Sequence, residues 1–351
     1  MRISLLTLSF VPEIGGVQTY LFELARRLAQ VHAVEVITPV QGQLPAGAAM
    51  RRTTLDSGRA REFRRALRAT GPDRVLVGHA HPQLLLAAAF HTRLRYITIA
   101  HGNDYLAAQG RWHRPLFNWL LRQSRPLVTQ TAANAARLQQ ILGIRPRVVH
   151  PGTDPLRFTP AADLPPGPPV LLTVGRLVPR KGVDTVLQAL PALLPHFPGL
   201  RYEIAGEGPD RGRLEAQATD LGLREAVTFH GALPPAELPA LYRRAHLFVM
   251  PVREERAAAS VEGFGIVYLE ASASGLPVIA GRSGGAVEAV VEGQTGYLVA
   301  PNDAAALAER MQMLLADLPL RRQLGRNGRR WVESTMNWDR AAAELREIVE
   351  G

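Results

Sequence analysis

The sequence predicts two successive α/β domains of the doubly wound, Rossmann-like type, and three observations lead to this fold class. The chain has 351 residues, which exceeds the usual size of a single domain. Short apolar runs alternate with helical patterns through both halves, as in parallel sheets built from βαβ units. The segment TPAADLPPGPPV, 159–170, contains five prolines and a glycine and is interpreted as a linker between the halves.

We therefore predict an N-terminal domain over 1–160 and a C-terminal domain over 161–335. Residues 336–351 are predicted to form a C-terminal helix that packs back toward the N-terminal domain. If the two domains face each other, the carboxyl ends of both sheets would border a cleft, where ligands of such folds bind.

Each predicted element follows from its pattern of apolar residues. In the first half the strands are ISLLTLSF, AVEVITPV, RVLVG and YITIAHG, and the helices are VQTYLFELARRLAQ and REFRRALRAT. The first run could pass for a signal-peptide core, but Pro12 and Glu13 follow it with no small-residue cleavage site. In the second half the strands are VLLTVG, YEIAG, VTFHG, LFVMP and PVIAG, and the helices are VDTVLQALPALL, RGRLEAQATDLGL, LPALYRRA, IVYLEASASG and others after residue 303.

The composition excludes several classes of protein. Apolar residues make up 46% of the chain and charged residues 21%, as in globular rather than disordered proteins. The chain contains no cysteine, which excludes disulfides, a thiolate nucleophile and a Cys-ligated zinc ion. It also lacks a run of about 20 apolar residues that could span a bilayer. A cytoplasmic protein is the expectation.

Positive charge is concentrated in the first half. Residues 1–160 hold 21 arginines and 8 acidic residues, whereas residues 161–351 hold 20 basic and 23 acidic residues. This asymmetry indicates that the first half meets a polyanion, either nucleic acid or an acidic membrane surface. A solvated surface that is simply rich in arginine is the alternative.

Two loops that follow predicted strands carry features suited to phosphate. Gly15 and Gly16 precede a helix, where side-chain-free backbone and free N–H groups admit an anion, although a tight turn would also explain them. Arg176 and Lys181 precede the helix that begins near Val183, and Lys181 is the only lysine of the chain. A planar arginine and a compact ammonium together suit a diphosphate.

The stretch EGFGIVYLE carries two glutamates separated by seven residues, Glu262 and Glu270. The Gly263-Phe264-Gly265 triplet predicts that Glu262 lies on a loop and that a helix begins near Gly265. Carboxylates there suit sugar hydroxyls, although an acid at a helix N-terminus also has a purely structural explanation. His101 follows an apolar strand and is a candidate hydrogen-bonding group.

These motifs together resemble the retaining glycosyltransferases of the GT-B fold that use nucleotide sugars, the family 4-like group with the Glu-x7-Glu signature. The resemblance also covers Gly15-Gly16, His101-Gly102, GRLVPRKG, AGEGP at 205–209 and SGG at 283–285, in the same order along the chain. Within that family, RLVPRKG, VEGFGIVYLEA and GLPVIAGRSGGAVE resemble the phosphatidylinositol-mannoside mannosyltransferases that use GDP-mannose.

The resemblance implies a role for each candidate residue. Arg176 and Lys181 would hold the donor diphosphate, Glu262 the hydroxyls of the transferred sugar and Glu270 the ribose, and His101 would contact the sugar near its 6-hydroxyl. Further donor contacts are expected at Gly15, Gly16, Gly206, Gly263, Phe264, Gly265, Ile266 and Val267. Family members retain anomeric configuration and need no metal, with no clear enzyme nucleophile. The sequence likewise shows no Asp-x-Asp on a strand-end loop and no helical HExxH.

The basic N-terminal domain is expected to bind the acceptor. Arg61, Arg64, Arg65 and Arg68 recur at helical spacing, and residues 111–125 interleave arginines with Trp112 and Trp119. Such stretches suit an anionic bilayer, and packing into the core is the alternative. We therefore predict an enzyme peripherally associated with the inner face of a membrane, whose partners are a nucleotide sugar and a lipid-linked or other glycan acceptor.

Other functions fit the sequence less well. A UDP-sugar-dependent transferase of glucose, galactose or N-acetylglucosamine remains open. A nucleic-acid-binding protein would explain the basic charge, but no recognisable binding module is present. A nicotinamide-dependent dehydrogenase would need a GxGxxG loop, which the chain lacks. An epimerase or phosphorylase would share the fold.

Overall fold

A computed structural model describes residues 1–92, 95–102, 104–106, 113–162, 167–255 and 262–351. The chain divides into two compact units. The first comprises Met1–Gly152 together with Trp338–Gly351, and the second comprises Thr153–Asn337.

The boundary predicted at residue 160 falls inside the second unit. Phe158 is buried in that unit's core, and Arg329 fastens the backbone around it. Its Nη1 donates to the carbonyl oxygens of Pro155 (2.9 Å), Phe158 (2.6 Å) and Ala273 (2.8 Å). The residues just before the proline-rich segment are therefore attached to the second unit.

The described residues form thirteen strands and twelve α-helices. The strands are β1 Arg2–Leu6, β2 Ala33–Thr38, β3 Arg51–Thr54, β4 Arg74–Val77, β5 Tyr96–Ala100, β6 Ser124–Thr129, β7 Arg147–Val148, β8 Val170–Val174, β9 Arg201–Ala205, β10 Val227–Gly231, β11 Leu247–Met250, β12 Val278–Gly281 and β13 Gly296–Val299. The helices are α1 Gly16–Leu28, α2 Ala60–Thr70, α3 Pro82–Thr92, α4 Arg114–Gln123, α5 Ala132–Leu142, α6 Val183–Leu193, α7 Arg211–Asp220, α8 Leu238–Arg244, α9 Ile266–Ala273, α10 Ala304–Ala316, α11 Leu318–Ser334 and α12 Trp338–Glu350.

Each unit is built on one parallel sheet. The strand order is β3-β2-β1-β4-β5-β6-β7 in the first unit and β10-β9-β8-β11-β12-β13 in the second. Both orders reverse direction once, between β1 and β4 and between β8 and β11. Ligands of doubly wound sheets bind beside the carboxyl ends of the strands at such a reversal. The loops after β1, β4, β8 and β11 are therefore the places to look for a site.

The last helix belongs to the core of the first unit. The α12 helix packs against α1, where the Trp338 ring meets the Tyr20 ring edge-on at 6.0 Å between centroids. On the surface beside it, Arg27 Nε donates to Asp339 at 2.6 Å. Leu345 lies on the inner face of α12 and is fully buried. Together these contacts place 338–350 with the first unit.

We expect Leu345→Ala to lower the free energy of unfolding of the first unit by about 2–4 kcal/mol, because truncation of a buried leucine loses apolar contact and leaves a cavity. Urea unfolding followed by tryptophan fluorescence measures this, since Trp338 lies on the same helix. The control is Arg346→Ala, at an exposed position one residue further on. Equal stability of the two variants would contradict a core role for α12.

Candidate functional site

Three loops of the second unit approach one another closely at the carboxyl edge of its sheet. Gly182 has a φ of 72°, and a Cβ there would lie 2.2 Å from the carbonyl oxygen of Pro251. Gly284 has a φ of 55°, and a Cβ there would lie 2.6 Å from the carbonyl oxygen of Glu262. The Gly285 N–H donates to that same oxygen at 2.9 Å. Glycine is thus required where the loops that follow β8, β11 and β12 meet.

Lys181 and Glu262, two of the predicted site residues, form an ion pair in this region. Lys181 Nζ lies 2.9 Å from Glu262 Oε2, and the guanidinium of Arg180 bonds to the same oxygen. The side chains of Lys181 and Glu262 are only 10% and 9% exposed. Two cations share one carboxylate, so the cluster has an excess of positive charge that favours an anionic ligand.

Burial and charge act in opposite directions on the two predicted residues. Burial lowers the pKa of Lys181, the Glu262 charge opposes this, and the Arg180 charge adds to it, so the net pKa is lowered. Burial alone would raise the pKa of Glu262, but Lys181 and Arg180 outweigh it and the net pKa is lowered. Glu262 is therefore held as a carboxylate although it is almost removed from water.

Arg253, which follows β11, fastens the loop that carries the two cations. Its backbone N–H donates to the Arg180 carbonyl at 2.9 Å. Its guanidinium bonds both carboxylate oxygens of Asp184, in the first turn of α6, at 2.8 and 2.9 Å. This bidentate pair restrains the start of the helix as well as the loop.

The structure leaves the Arg176 side chain exposed, although its backbone is firmly held. The neighbouring Leu177 N–H donates to the Glu207 carbonyl at 2.8 Å. A Cβ at Gly206 would lie 1.9 Å from the carbonyl oxygen of Gly175. The glycine of AGEGP therefore lets the loops after β8 and β9 run side by side, which explains it without a ligand.

The second glutamate lies on α9, which begins at Ile266, one residue after the predicted start near Gly265. The Tyr242 hydroxyl donates to Glu270 Oε2 at 2.8 Å, and burial raises the pKa of Glu270. Gly265 has a φ of 90°, which favours glycine. The Phe264 side chain is buried in the core, so only its backbone faces the loop.

In the first unit, one ring nitrogen of His101 forms a hydrogen bond and the other has no partner among the described residues. Its Nε2 lies 2.7 Å from the Gly78 carbonyl oxygen, which can only accept, so Nε2 carries the proton. Its Nδ1 is buried and has no hydrogen-bond partner within the described residues. His101 thus offers an acceptor, the role that a sugar hydroxyl needs.

A second histidine, His79, packs beside His101 with 5.4 Å between ring centroids. Burial, as the main cause, lowers the pKa of His79 to about 3. The Thr7 hydroxyl donates to the Ser9 carbonyl, so His79 Nε2 is the donor in its 2.8 Å bond to Thr7 Oγ1. The hydrogen bond between Thr7 and His79 thus connects the loops after β1 and β4.

Asp104, which was not among the predicted site residues, supports the loop after β5. Its carboxylate accepts from the backbone N–H groups of Ala80 at 2.8 Å, Tyr105 at 2.9 Å and His101 at 3.0 Å. Its position three residues after His101 was a local signal of capping. Gly15 is extended at φ 167° and Gly16 begins α1, so this pair forms a short strand-to-helix connection.

The predicted acceptor surface divides between core and solvent. Phe63 and Leu67 of α2 are buried, whereas Arg61, Arg65 and Arg68 are exposed. On the neighbouring helices, exposed apolar side chains are Phe90 (67%), Leu116 (51%) and Trp119 (45%). The Arg64 guanidinium covers the Phe90 ring at 5.1 Å. Trp112 lies outside the described residues.

The described part of the chain offers neither a metal site nor a membrane-spanning helix. Across the described ranges, no group of three or more His, Asp or Glu side chains could hold a metal ion. In the same part of the chain, no helix is long and apolar enough to cross a membrane.

Comparison with known proteins gives consistent matches along the chain. The family described as Glycosyltransferase Family 4 matches residues 14–157, and Glycosyl transferases group 1 matches residues 157–331. The GDP-mannose-dependent alpha-(1-6)-phosphatidylinositol monomannoside mannosyltransferase of Mycolicibacterium smegmatis is 34% identical over 99% of this chain and 98% of its own length.

Solved structures share the fold. Sucrose-phosphate synthase from Thermosynechococcus elongatus superposes with a TM-score of 0.85 and 24% identity over 99% of this chain and 98% of that one. The Anabaena protein HepE, in complex with UDP and glucose, superposes with a TM-score of 0.82 and 19% identity over 100% of both chains. The prediction of two Rossmann-like domains is confirmed.

We expect Glu262→Gln to lower the pKa of Lys181 further, because the variant removes the negative charge that opposes the effect of burial. Since Lys181 is the only lysine, labelling with ¹³C-lysine gives one side-chain NMR signal whose pH titration reports this group directly. The matched control is Glu207→Gln, an exposed glutamate in the neighbouring loop. A Lys181 pKa that is unchanged or raised by Glu262→Gln would show that the ion pair does not form.

Proposed function

This chain belongs to the family 4 glycosyltransferases, which have the GT-B fold, and we propose that it transfers mannose from GDP-mannose to a lipid-linked or other glycan acceptor with retention of configuration. Membership makes it an enzyme of the hexosyltransferase class. The donor, the acceptor and the stereochemistry are our proposal.

The observation that carries the choice of donor is the similarity to a mannosyltransferase that is named as GDP-mannose-dependent. It extends over 99% of this chain at 34% identity. HepE, which is solved with UDP and glucose, is only 19% identical and supports the fold alone. UDP-sugars are therefore an outcome to be tested.

The second unit is proposed to bind the donor. The Lys181, Arg180 and Glu262 cluster has a surplus cation for a diphosphate and a carboxylate for hydroxyl groups. All hydrogen bonds of Glu262 to described residues use Oε2 of the side chain or the backbone, which leaves Oε1 able to accept. Glu270, oriented by Tyr242, would accept from the ribose hydroxyls.

In the proposed reaction the acceptor oxygen bonds to C1 of mannose while the bond from C1 to the diphosphate oxygen breaks. The acceptor proton passes to the departing diphosphate, and the products are the mannoside and GDP. Lys181 and Arg176 would offset the charge that develops on the leaving group, and His101 Nδ1 would accept from a sugar hydroxyl. We propose that the reaction needs no metal.

Thermal-shift measurements with GDP and UDP, followed by GDP-mannose and UDP-hexoses, test the donor. We expect a larger stabilisation by GDP than by UDP, because bound ligand stabilises the folded protein in proportion to its affinity. GDP should then be released from GDP-mannose at the same rate with and without EDTA. A larger shift with UDP would overturn the choice of base, and loss of turnover in EDTA would overturn the metal-free reaction.

Variants of Lys181 test whether this residue stabilises the leaving diphosphate. Lys181→Ala should lose about 100-fold or more in turnover, as expected for removal of a group that stabilises developing charge. Lys181→Arg should also be impaired, because a planar fork does not replace a compact ammonium. The control is Arg322→Ala at an exposed position on α11. Activity like that of the wild type in both lysine variants would contradict the assignment.

The exposed face of α2, α3 and α4 is proposed to dock on an anionic bilayer. Phe90, Leu116 and Trp119 present apolar surface on α3 and α4, and Arg61 and Arg65 are exposed on α2. Adjacent helices carry both kinds of residue, since α3 packs against α2 and against α4. Apolar side chains that enter the interface and arginines that meet acidic headgroups would act together.

We expect the protein to sediment with vesicles that contain phosphatidylglycerol but not with phosphatidylcholine alone, and high salt should weaken the binding because it screens charge. Trp119→Ala and Phe90→Ala should each reduce binding severalfold, whereas Val31→Ala, an exposed valine after α1, should not. Equal recovery with neutral and anionic vesicles would refute the membrane proposal. Preferential retention by duplex DNA in a competition would favour a nucleic-acid partner instead.

A further inference from the structure

Arg180 is a charged residue whose contacts the proposed roles above do not explain. Its guanidinium bonds to Glu262 Oε2 across 82 positions of sequence, and its side chain is 19% exposed. If both partners were exposed on the surface, such an ion pair would contribute little to stability. Here the partner carboxylate is buried, so the contact with Arg180 matters because it helps to neutralise a charge that water cannot solvate.

Arg180 and Lys181 both contact a single oxygen of Glu262. One cation would be enough to neutralise this carboxylate, so the second suggests a different function for each. On the proposed function, Lys181 Nζ is the group that would bond the donor's diphosphate. A lysine that turns to a phosphate gives up part of its bond to Glu262, and a buried carboxylate without a counter-ion is costly. Some other cation must then neutralise Glu262.

We propose that Arg180 is a positioning residue that holds Glu262 through Oε2, so that Lys181 is free to bond the diphosphate while Oε1 of Glu262 accepts from the sugar. This inference rests on the proposed function and deepens it. It predicts that Arg180 and Lys181 are not equivalent, although both contact the same oxygen in the structure.

The surroundings fit this division. The Arg180 carbonyl is fixed by the Arg253 N–H at 2.9 Å, so its backbone cannot drift with a ligand. The Glu262 carbonyl is fixed by the Gly285 N–H at 2.9 Å. Lys181, by contrast, ends on a flexible four-carbon stem that can redirect its ammonium.

The charged and titratable groups that face Glu262 are few among the described residues. Lys181 and Arg180 approach it from the loop after β8, and Tyr268 approaches from α9. Burial raises the pKa of Tyr268 well above its ordinary value, so it stays neutral. Removal of Arg180 would thus leave Lys181 as the sole cation on Glu262.

The test compares Arg180→Gln and Arg180→Lys with the wild type in donor turnover across a range of pH. We expect Arg180→Gln to lose about 100-fold in kcat/KM, as small misplacements at a reacting centre do. The acid limb of its pH–activity profile should move to higher pH, because Glu262 loses one of the cations that favour its charged form. Arg180→Lys should recover much of the activity and the wild-type acid limb.

Two measurements separate this inference from its alternatives. Melting temperatures identify a variant that merely unfolds, and Arg322→Gln is the exposed control. The single ¹³C-lysine signal should titrate at higher pH in Arg180→Gln, because a neighbouring positive charge is gone, and this needs no substrate. Failure of wild-type turnover with every donor would overturn the proposed function alone.

An unchanged acid limb and an unchanged lysine titration in a folded Arg180→Gln variant would overturn the role of Arg180. Equal losses in Arg180→Lys and Arg180→Gln, with the pH profile unmoved, would do the same. Wild-type activity in Arg180→Gln would show that Lys181 alone suffices for turnover, and it would also overturn the role of Arg180.

Discussion

The carboxylate of Glu262 lies almost out of water and shares one oxygen with two cations of another loop. An isolated charge in that place would be strongly destabilised, whereas a paired one can persist if the geometry is good. The surrounding backbone provides that geometry. Gly182 and Gly284 admit neighbouring carbonyls that any side chain would obstruct, and Arg253 holds the cation loop in place. The buried ion pair therefore depends on the close approach of the loops after β8, β11 and β12, and it adds a further link between the first two.

The sheet order explains why such a cluster forms here. β8 and β11 are neighbours where the strand order reverses, so the loops that follow them begin side by side at the carboxyl edge of the sheet. In the first unit the same reversal lies between β1 and β4, where the loops that follow these strands bring Thr7 and His79 together, and His101 from the loop after β5 packs against His79.

Much of the fold could be predicted from sequence because apolar runs such as YITIA become central, fully buried strands. The strand RRTT was missed, since it is polar and half-exposed at the edge of the sheet. In the site, Lys181 and Glu262 were recognisable from local motifs. Arg180 and Arg253 were not, because their partners lie 82 and 69 positions away and only the folded chain brings them together. Long-range ion pairs have no local pattern, so composition and spacing cannot reveal them.

The single lysine of a chain with 40 arginines has a physical reason at this place. A Cβ on Gly175 would lie 3.6 Å from Lys181 Cε and 3.8 Å from its Nζ, so the lysine stem runs directly along the Gly175 backbone. Met250 Sδ would lie 3.7 Å from the same point and closes the space beside it. A guanidinium is wider than an ammonium and fixed in a plane, and it would need room that these neighbours occupy. Arg180 already supplies a guanidinium to the same oxygen, where its side chain is less buried. The adjacent Arg180-Lys181 pair therefore combines a wide cation at the less buried place with a narrow one inside, and an arginine at position 181 would not fit the inner place.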